Sequence, residues 1–159
     1  MTKRIDLDNA PVATGTTYPP PYHEPCRARQ RTRLGDAAGL TQFGVNLLRL
    51  PPGAWSAQRH WHVGEDELVY VLSGEVALVT DEGEEVLRPG DCAGFKAGDN
   101  NGHCLQNRSS ADATVLEIGT RVPGGDTAYY PECDMVARPG GGYARRDGTP
   151  YPAQPRRGP

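Results

Sequence analysis

Three of the chain's four histidines fall into one pattern with a glutamate. His60 and His62 stand two residues apart, Glu67 follows shortly after them, and His103 lies farther along the chain. Because alternate residues of a β-strand point to the same face, the side chains of His60 and His62 would project together. A turn through residues 63–66 would then place Glu67 beside them on the next strand. Imidazole and carboxylate groups are good ligands for divalent transition metals, so the pattern predicts a metal centre.

The predicted ligand set contains three imidazoles and one carboxylate, and it would hold one divalent ion per chain. Such a set suits Mn, Fe, Ni, Co or Zn, and the pattern does not choose among them. Four protein ligands leave positions for water or substrate, which is typical of a site where chemistry occurs. Two alternatives stay open. Glu65 or Asp66 could supply the carboxylate if the turn differs by one residue, and the histidines could instead be hydrogen-bonded core residues.

Short segments rich in β-branched and apolar residues surround this pattern. They are separated by turn signals such as Ser73-Gly74 and Pro89-Gly90-Asp91. Several short strands at spacings of about eight to twelve residues indicate a β-sandwich or a β-barrel. The predicted strands are 42–50, 66–72, 75–80, 84–89, 92–95, 102–107 and 113–120.

The composition favours a turn-rich β domain. Among 159 residues there are 20 glycines and 15 prolines, which is too many for a helical bundle or a coiled coil. A formal net charge of −3 argues against binding to nucleic acid or to an anionic membrane. We find no apolar stretch of the roughly 20 residues that a membrane span needs. The four cysteines form no CxxC pair and no secretory signal is evident, so we expect free thiols in a cytoplasmic protein.

The chain divides into three predicted parts. Residues 1–40 form an N-terminal arm that could wrap a partner, residues 41–120 hold the strands, and residues 121–159 form a C-terminal arm with a mobile tail. The Pro-rich segment 17–25 is expected to lie along a surface, with His23 in solvent, and the basic run 28–33 to be a solvated edge. Arms of this length are most simply ordered by a sister subunit, so we expect a homodimer.

Two blocks of the sequence resemble the paired motifs of the cupin superfamily. Residues 53–74 are similar to G-x₅-HxH-x₃₋₄-E-x₆-G, with one additional residue before His60. Residues 90–107 are similar to G-x₅-P-x-G-x₂-H-x₃-N, with Lys96 at the usual proline position and a loop before His103 that is two residues longer. The arms are also similar to those of small bacterial single-domain cupins of uncharacterised function, some of which are described as sugar-phosphate isomerases.

The resemblance implies an all-β fold, the double-stranded β-helix or jelly-roll barrel, with extended N- and C-terminal arms. It also implies a homodimer and a small-molecule ligand inside the barrel. The metal would be bound there by the residues that match the motif ligands, which are His60, His62, Glu67 and His103.

Two further residues are candidates for a catalytic role. Gln58 shares a strand face with His60 and could reach the metal or one of its ligands. Glu117 lies on a strand that could turn either face inward, so it is either a surface glutamate or a general base in the pocket. The same alternation predicts that Val69, Val71 and Leu105 line a largely apolar pocket.

Two functions are compatible with this site. One is an enzyme that uses the ion for isomerase, lyase or dioxygenase chemistry on a carbohydrate or carbonyl compound. The other is a non-catalytic barrel that binds or senses a small ligand, because fold alone does not define activity. We find no DNA-binding segment that would support a regulator, so the enzyme is the favoured hypothesis. Only Arg59 and Lys96 are expected near the pocket as basic residues, which argues against a phosphorylated substrate.

Overall fold

The computed structural model describes residues 4–159. This part of the chain consists of short strands and turns, with one helical turn at Leu34–Ala37 and 3₁₀ turns at Leu7–Asn9 and Glu24–Cys26. The strands are β1 (Val12–Thr14), β2 (Gln30–Arg33), β3 (Phe43–Leu50), β4 (Trp61–His62), β5 (Glu67–Ser73), β6 (Val76–Thr80), β7 (Gly83–Leu87), β8 (Cys92–Phe95), β9 (Cys104–Gln106), β10 (Ala113–Thr120), β11 (Ala128–Tyr129), β12 (Val136–Ala137) and β13 (Tyr143–Ala144).

Two antiparallel sheets face each other and form the barrel. The larger sheet has six strands in the order β1-β2-β3-β10-β5-β8, and the smaller has three in the order β7-β6-β9. Strands that are distant in sequence are neighbours in both sheets, because the chain crosses from one sheet to the other. This is the predicted jelly-roll arrangement, and the strands that were expected between residues 41 and 120 are all present.

Period-two alternation builds the core between these sheets. On β5 the side chains of Val69 and Val71 are buried, whereas Leu68 and Leu72 point outward and are exposed. The core also contains Leu48, Leu50, Val76, Leu78, Leu87, Leu105 and Val115. Burying one such aliphatic side chain contributes about 1.5–3 kcal/mol. Glu67 lies two residues before Val69 on β5, so by the same alternation a polar side chain adjoins this apolar core.

The N-terminal arm is part of the large sheet. Strand β2 pairs with β3, with Arg31 opposite Leu48, and β1 adds a further strand to the edge. The basic run is therefore not a solvated edge: residues 30–33 pair with β3, and Arg29, which directly precedes β2, is 7% exposed. The prediction that His23 lies in solvent is also wrong, since His23, within the Pro-rich segment, is 7% exposed.

The C-terminal arm folds against the barrel and against the N-terminal arm. Strand β11 pairs with β4 and begins a small sheet of order β13-β12-β11-β4. A second apolar core joins the two arms through Tyr18, Cys26, Ala128, Tyr130, Cys133 and Met135.

A backbone bridge near the C-terminus also joins the two arms. Arg157 and Thr16 exchange two backbone hydrogen bonds of 2.8 and 3.1 Å. Gly15 has a φ of +76° beside this bridge, and a Cβ there would lie 1.9 Å from the carbonyl oxygen of Arg157. Both arms thus contact their own barrel extensively.

All four cysteines are free, as predicted. Burial raises the pKa of Cys104 and that of Cys133 to about 11, which leaves the exposed Cys92 as the accessible thiol. Within residues 4–159, we find no helix with the length and apolar character that crossing a membrane would require.

Candidate metal centre

The three predicted histidine ligands lie close to Glu67. The Oε2 atom of Glu67 lies 2.8 Å from Nε2 of His103. The same oxygen lies 3.6 Å from Nε2 of His62 and 3.8 Å from Nε2 of His60. Ligand atoms that are each about 2.1 Å from one ion are about 3.0–3.4 Å from one another. Ligand atoms of His60, His62 and Glu67 all lie within 4.8 Å of one another, so these three residues could hold one cation. His103 adjoins this group through its contact with Glu67.

A short antiparallel bridge brings the two halves of the site together. The backbone N–H of His60 donates to the carbonyl of His103 at 3.1 Å, and that of His103 donates to His60 at 2.8 Å. The loop before His103 is also held by a hydrogen bond to the other half of the site, because the N–H of Gly98 donates to the carbonyl of His62 at 2.8 Å. The longer loop therefore does not move the third imidazole away from the other two.

Contacts behind the imidazoles orient two of them for metal binding. Nδ1 of His60 lies 2.9 Å from the carbonyl oxygen of Gln58, and Nδ1 of His62 lies 2.9 Å from Oδ2 of Asp126. A neutral imidazole that donates from Nδ1 keeps its lone pair on Nε2. Both lone pairs then point toward Glu67, so these residues fit a divalent ion.

Asp126 contacts the predicted ligand His62, and the sequence analysis did not anticipate it. It lies in the turn between β10 and β11, where its sequence, Gly-Gly-Asp-Thr, indicates only a turn. Its other oxygen, Oδ1, accepts a 2.8 Å hydrogen bond from the N–H of Gly64, and its side chain is 8% exposed. This carboxylate is therefore positioned by the C-terminal arm to hold His62.

The other acidic residues of the turn face away from the three Nε2 atoms. Glu65 lies on the Nδ1 side of His62 at 3.8 Å, and its Oε1 accepts from the N–H of Val122. Oδ1 of Asp66 accepts a 2.7 Å hydrogen bond from the N–H of Ala97. Glu67 thus belongs to the group that includes both His60 and His62, whereas Glu65 belongs to a second possible metal group with His62 and Asp126.

The environment favours the protonation states that metal binding needs. Burial lowers the pKa of His60 to about 3, so its imidazole is neutral at pH 7. Burial by itself would raise the pKa of Glu67. The hydrogen bond from His103 and the electrostatic effect of the nearby imidazoles outweigh that effect and lower the pKa to about 2. A neutral imidazole and an ionised carboxylate are both ready to bind a cation.

Comparison with known proteins identifies the family. A solved structure from Silicibacter pomeroyi DSS-3, described as a sugar phosphate isomerase from a cupin superfamily, shares 47% sequence identity with this chain and has a TM-score of 0.87. The match covers 95% of this chain and 98% of that one. The chain belongs to the cupin superfamily. The family model for the Cupin domain matches residues 46–119, which include all four predicted ligands.

Two further relatives of this cupin carry names that refer to different ligands. A structure from Acidithiobacillus ferrooxidans ATCC 23270, whose name also refers to a sugar phosphate isomerase, is 33% identical with a TM-score of 0.69 over 74% of this chain and 75% of that one. An oxalate-binding protein of Thermotoga maritima is 33% identical over 72 residues, which are 45% of this chain and 56% of that protein. The cupin chain thus spans just over half the length of this curated relative.

The two catalytic candidates lie in different surroundings. Gln58 does not reach the cavity: its Nε2 donates to the carbonyl of Tyr22 at 2.7 Å, and its Oε1 contacts the thiol of Cys133. Its side chain therefore joins the two arms, and only its carbonyl contacts a ligand. Glu117 faces inward, where its carboxylate accepts hydrogen bonds of 2.6 and 2.8 Å from Arg31.

A cavity of about 150 Å³ opens beside the donor set and is lined by His60, Glu67, His103, Glu117, Arg29 and Arg31.

The prediction of which basic residues lie near the pocket was wrong. Arg59 is paired with Asp81 and Glu132 outside this cavity, and Lys96 lines a separate pocket beyond Phe95. The arginines that do line the cavity are Arg31 of β2 and Arg29 just before it, and nothing in the sequence pattern indicated that this segment joins the sheet. Val69 and Leu105 line the cavity as expected, whereas Val71 is buried in the core and does not line it.

Proposed function

We propose that this cupin is a metal-dependent enzyme that acts on a small carbohydrate or carbonyl compound, with isomerisation as the best supported reaction class. The observation that carries the proposal is the set of three Nε2 atoms around Glu67 at the edge of an open cavity. The side chain of Glu67 is 30% exposed, whereas a structural metal site would be closed by protein. The names of the relatives at 47% and 33% identity support isomerisation.

The residues that line the cavity would have different roles in such a reaction. A divalent ion held by the donor set would polarise a substrate oxygen. Val69 and Leu105 form an apolar wall that limits water on one side. Glu117 is the carboxylate in the cavity outside the donor set, so it is the candidate for moving a proton. The Glu117 carboxylate can accept a proton only after the hydrogen bonds that it receives from Arg31 weaken.

Solvent exchange tests this proposal. The protein is stripped with chelator, reloaded separately with Mn, Fe, Ni, Co or Zn, and incubated with a panel of aldoses, ketoses and their phosphates in D₂O. An isomerase that moves a proton next to a carbonyl incorporates deuterium there, so we expect NMR to detect exchange with at least one metal and none after stripping. Oxygen uptake under Fe(II) loading without exchange would instead indicate a dioxygenase.

A second candidate function is ligand binding without turnover. Two observations favour it: the 33% identity to an oxalate-binding protein, and the ion pair that engages both oxygens of Glu117. Ligand binding with no deuterium exchange and no oxygen uptake under any metal would establish this alternative and contradict the enzyme.

We also propose that the protein is a homodimer formed through the outer face of β5. Leu68, Tyr70 and Leu72 are 42%, 39% and 47% exposed in one row, and Leu116 of β10 lies beside Tyr70. A contiguous apolar face of this kind is typical of an interface. The arms contact their own barrel, so they are not needed to explain a dimer.

Light scattering checks the dimer. We expect the native chain to have the mass of a dimer and the double variant Leu68→Glu/Leu72→Glu to have the mass of a monomer, because two charges would have to be buried at the interface. Val86→Glu is the matched control, since Val86 is equally exposed but lies on β7 of the other sheet. A native chain that is monomeric at all concentrations would contradict the proposal.

A further inference from the structure

Two arginines lie in the cavity beside the donor set, and the reaction proposed above gives neither of them a role. Arg29 is 7% exposed, and the side chain of Arg31 is 23% exposed. Both line the same cavity as His60 and Glu67. Burial of a guanidinium is costly unless it is paired. Among residues 4–159, however, we find no carboxylate oxygen within 4.0 Å of the Arg29 guanidinium.

Each arginine is held firmly yet keeps donors free. Arg29 donates from Nε to the carbonyl of Gly15 at 3.2 Å and from Nη1 to that of Ser56. Arg31 donates from Nε and Nη2 to Glu117, and from Nη2 to the same Ser56 carbonyl at 3.0 Å. We find no hydrogen bond from Nη2 of Arg29 or Nη1 of Arg31 to any part of the chain that the structure describes. These donors are available to a ligand.

The charges of the cavity favour an anion. The two arginines are balanced by Glu67 and Glu117, so a divalent ion on the donor set would leave a net charge of +2 with neutral imidazoles. The ion pair with Glu117 outweighs the effect of burial and raises the pKa of Arg31, so this guanidinium stays charged. The guanidinium of Arg156 adds further positive charge nearby, because it donates to the same Gly15 carbonyl as Arg29.

We propose that Arg31, with Arg29 behind it, binds the anionic group of the small molecule that also contacts the metal, and that this group is a carboxylate or a phosphate. Glu117 fixes the orientation of Arg31 and leaves Nη1 free for the ligand. The inference rests on the proposed function for the presence of the ion. Because the cavity measures about 150 Å³, the part of the ligand that lies between the metal and the arginines is only a few atoms long.

Anion binding to the metal-loaded protein tests this site directly. Oxalate and inorganic phosphate are titrated separately by calorimetry, with metal content measured before and after each titration. A charge-assisted hydrogen bond is worth about 1.5–3 kcal/mol, so Arg31→Gln should weaken anion binding by about 10- to 100-fold. Glu117→Gln removes a negative charge from the cavity and should tighten binding by about tenfold.

Two further variants distinguish anion binding at Arg31 from a nonspecific effect of positive charge. Arg49→Gln is the matched control, because Arg49 lies on β3 of the same sheet but pairs with Asp112 on its exposed side, and it should bind anions like the native protein. The double variant Arg31→Gln/Glu117→Gln keeps the net charge of the cavity and should bind as weakly as Arg31→Gln.

The anion affinities of these variants test the proposed anion site without any measurement of catalysis. Loss of binding in Arg31→Gln and in the double variant supports the site, and the tighter of the two anions assigns carboxylate or phosphate. Native affinity in Arg31→Gln, or full recovery in the double variant, overturns it. Because no measurement depends on turnover, a protein without deuterium exchange can still bind anions through Arg31, and an active protein can still fail this test.

Discussion

Replacing His60 or His62 by alanine is expected to abolish metal binding. Each change removes one Nε2 donor that faces Oε2 of Glu67, at 3.8 and 3.6 Å respectively. Loss of a residue that only supports a ligand costs about 10- to 100-fold in affinity, so loss of the ligand itself should exceed that range. Native protein purified without chelator should carry close to one divalent ion per chain, and elemental analysis of both variants should find almost none.

The fourth histidine of the chain provides the control for this experiment. His23 lies outside the site, beside Glu24, so His23→Ala should keep its metal. Because an alanine in place of a buried histidine can also disturb folding, circular dichroism and thermal unfolding are compared for all three variants. Full metal retention in both His60→Ala and His62→Ala would refute the metal centre, whereas a folded protein without metal would support it.

Replacing Asp126 by asparagine is expected to lower metal affinity by about 10- to 100-fold without removing a ligand. The carboxylate accepts from Nδ1 of His62 at 2.9 Å, which holds the lone pair on Nε2 and makes the ring more basic. An amide of the same shape can still accept from the N–H of Gly64, so the turn should be retained. Competition with a chromophoric chelator measures the affinity, and the visible spectrum of the Co(II) form should change with the ligand field.

The control for Asp126 must detect a general loosening of the C-terminal arm. Asp134→Asn serves this purpose, because Asp134 lies in the same arm and contacts Arg145 at 3.2 Å, away from the site. We expect this variant to keep native metal affinity and an unchanged Co(II) spectrum. If both asparagine variants lose affinity equally, the arm acts through packing, and Asp126 has no specific role in positioning His62.

Residues that are close in sequence were predicted correctly because they depend on local geometry. The two-residue spacing of His60 and His62 places them on one strand face whatever the rest of the fold does. The alternation along β5 likewise predicted that Val69 is buried. Glu117 shows the limit of this reasoning, because alternation alone could not say which face of its strand points inward.

Residues that reach the site from the arms could not be predicted in this way. Arg31 enters the cavity only because β2 pairs with β3, and Asp126 reaches His62 only because a turn of the C-terminal arm packs against β4. Gln58 was expected to reach the metal or one of its ligands; its carbonyl contacts His60, but its side chain turns toward Tyr22 of the N-terminal arm. The spacing of residues in the sequence cannot predict these contacts, because each contact depends on how separate segments pack against one another.

The sequence by itself thus determined the barrel, its family resemblance, and the identity of the side chains that meet around Glu67. These follow from the period of a strand and from the donor chemistry of imidazole and carboxylate, and both are properties of short segments. Only the tertiary structure decided what surrounds them: the carboxylate behind His62 and the arginines that give the cavity its positive charge. Such contacts join residues more than 60 positions apart, and their free energy comes from packing that exists only once the chain has folded.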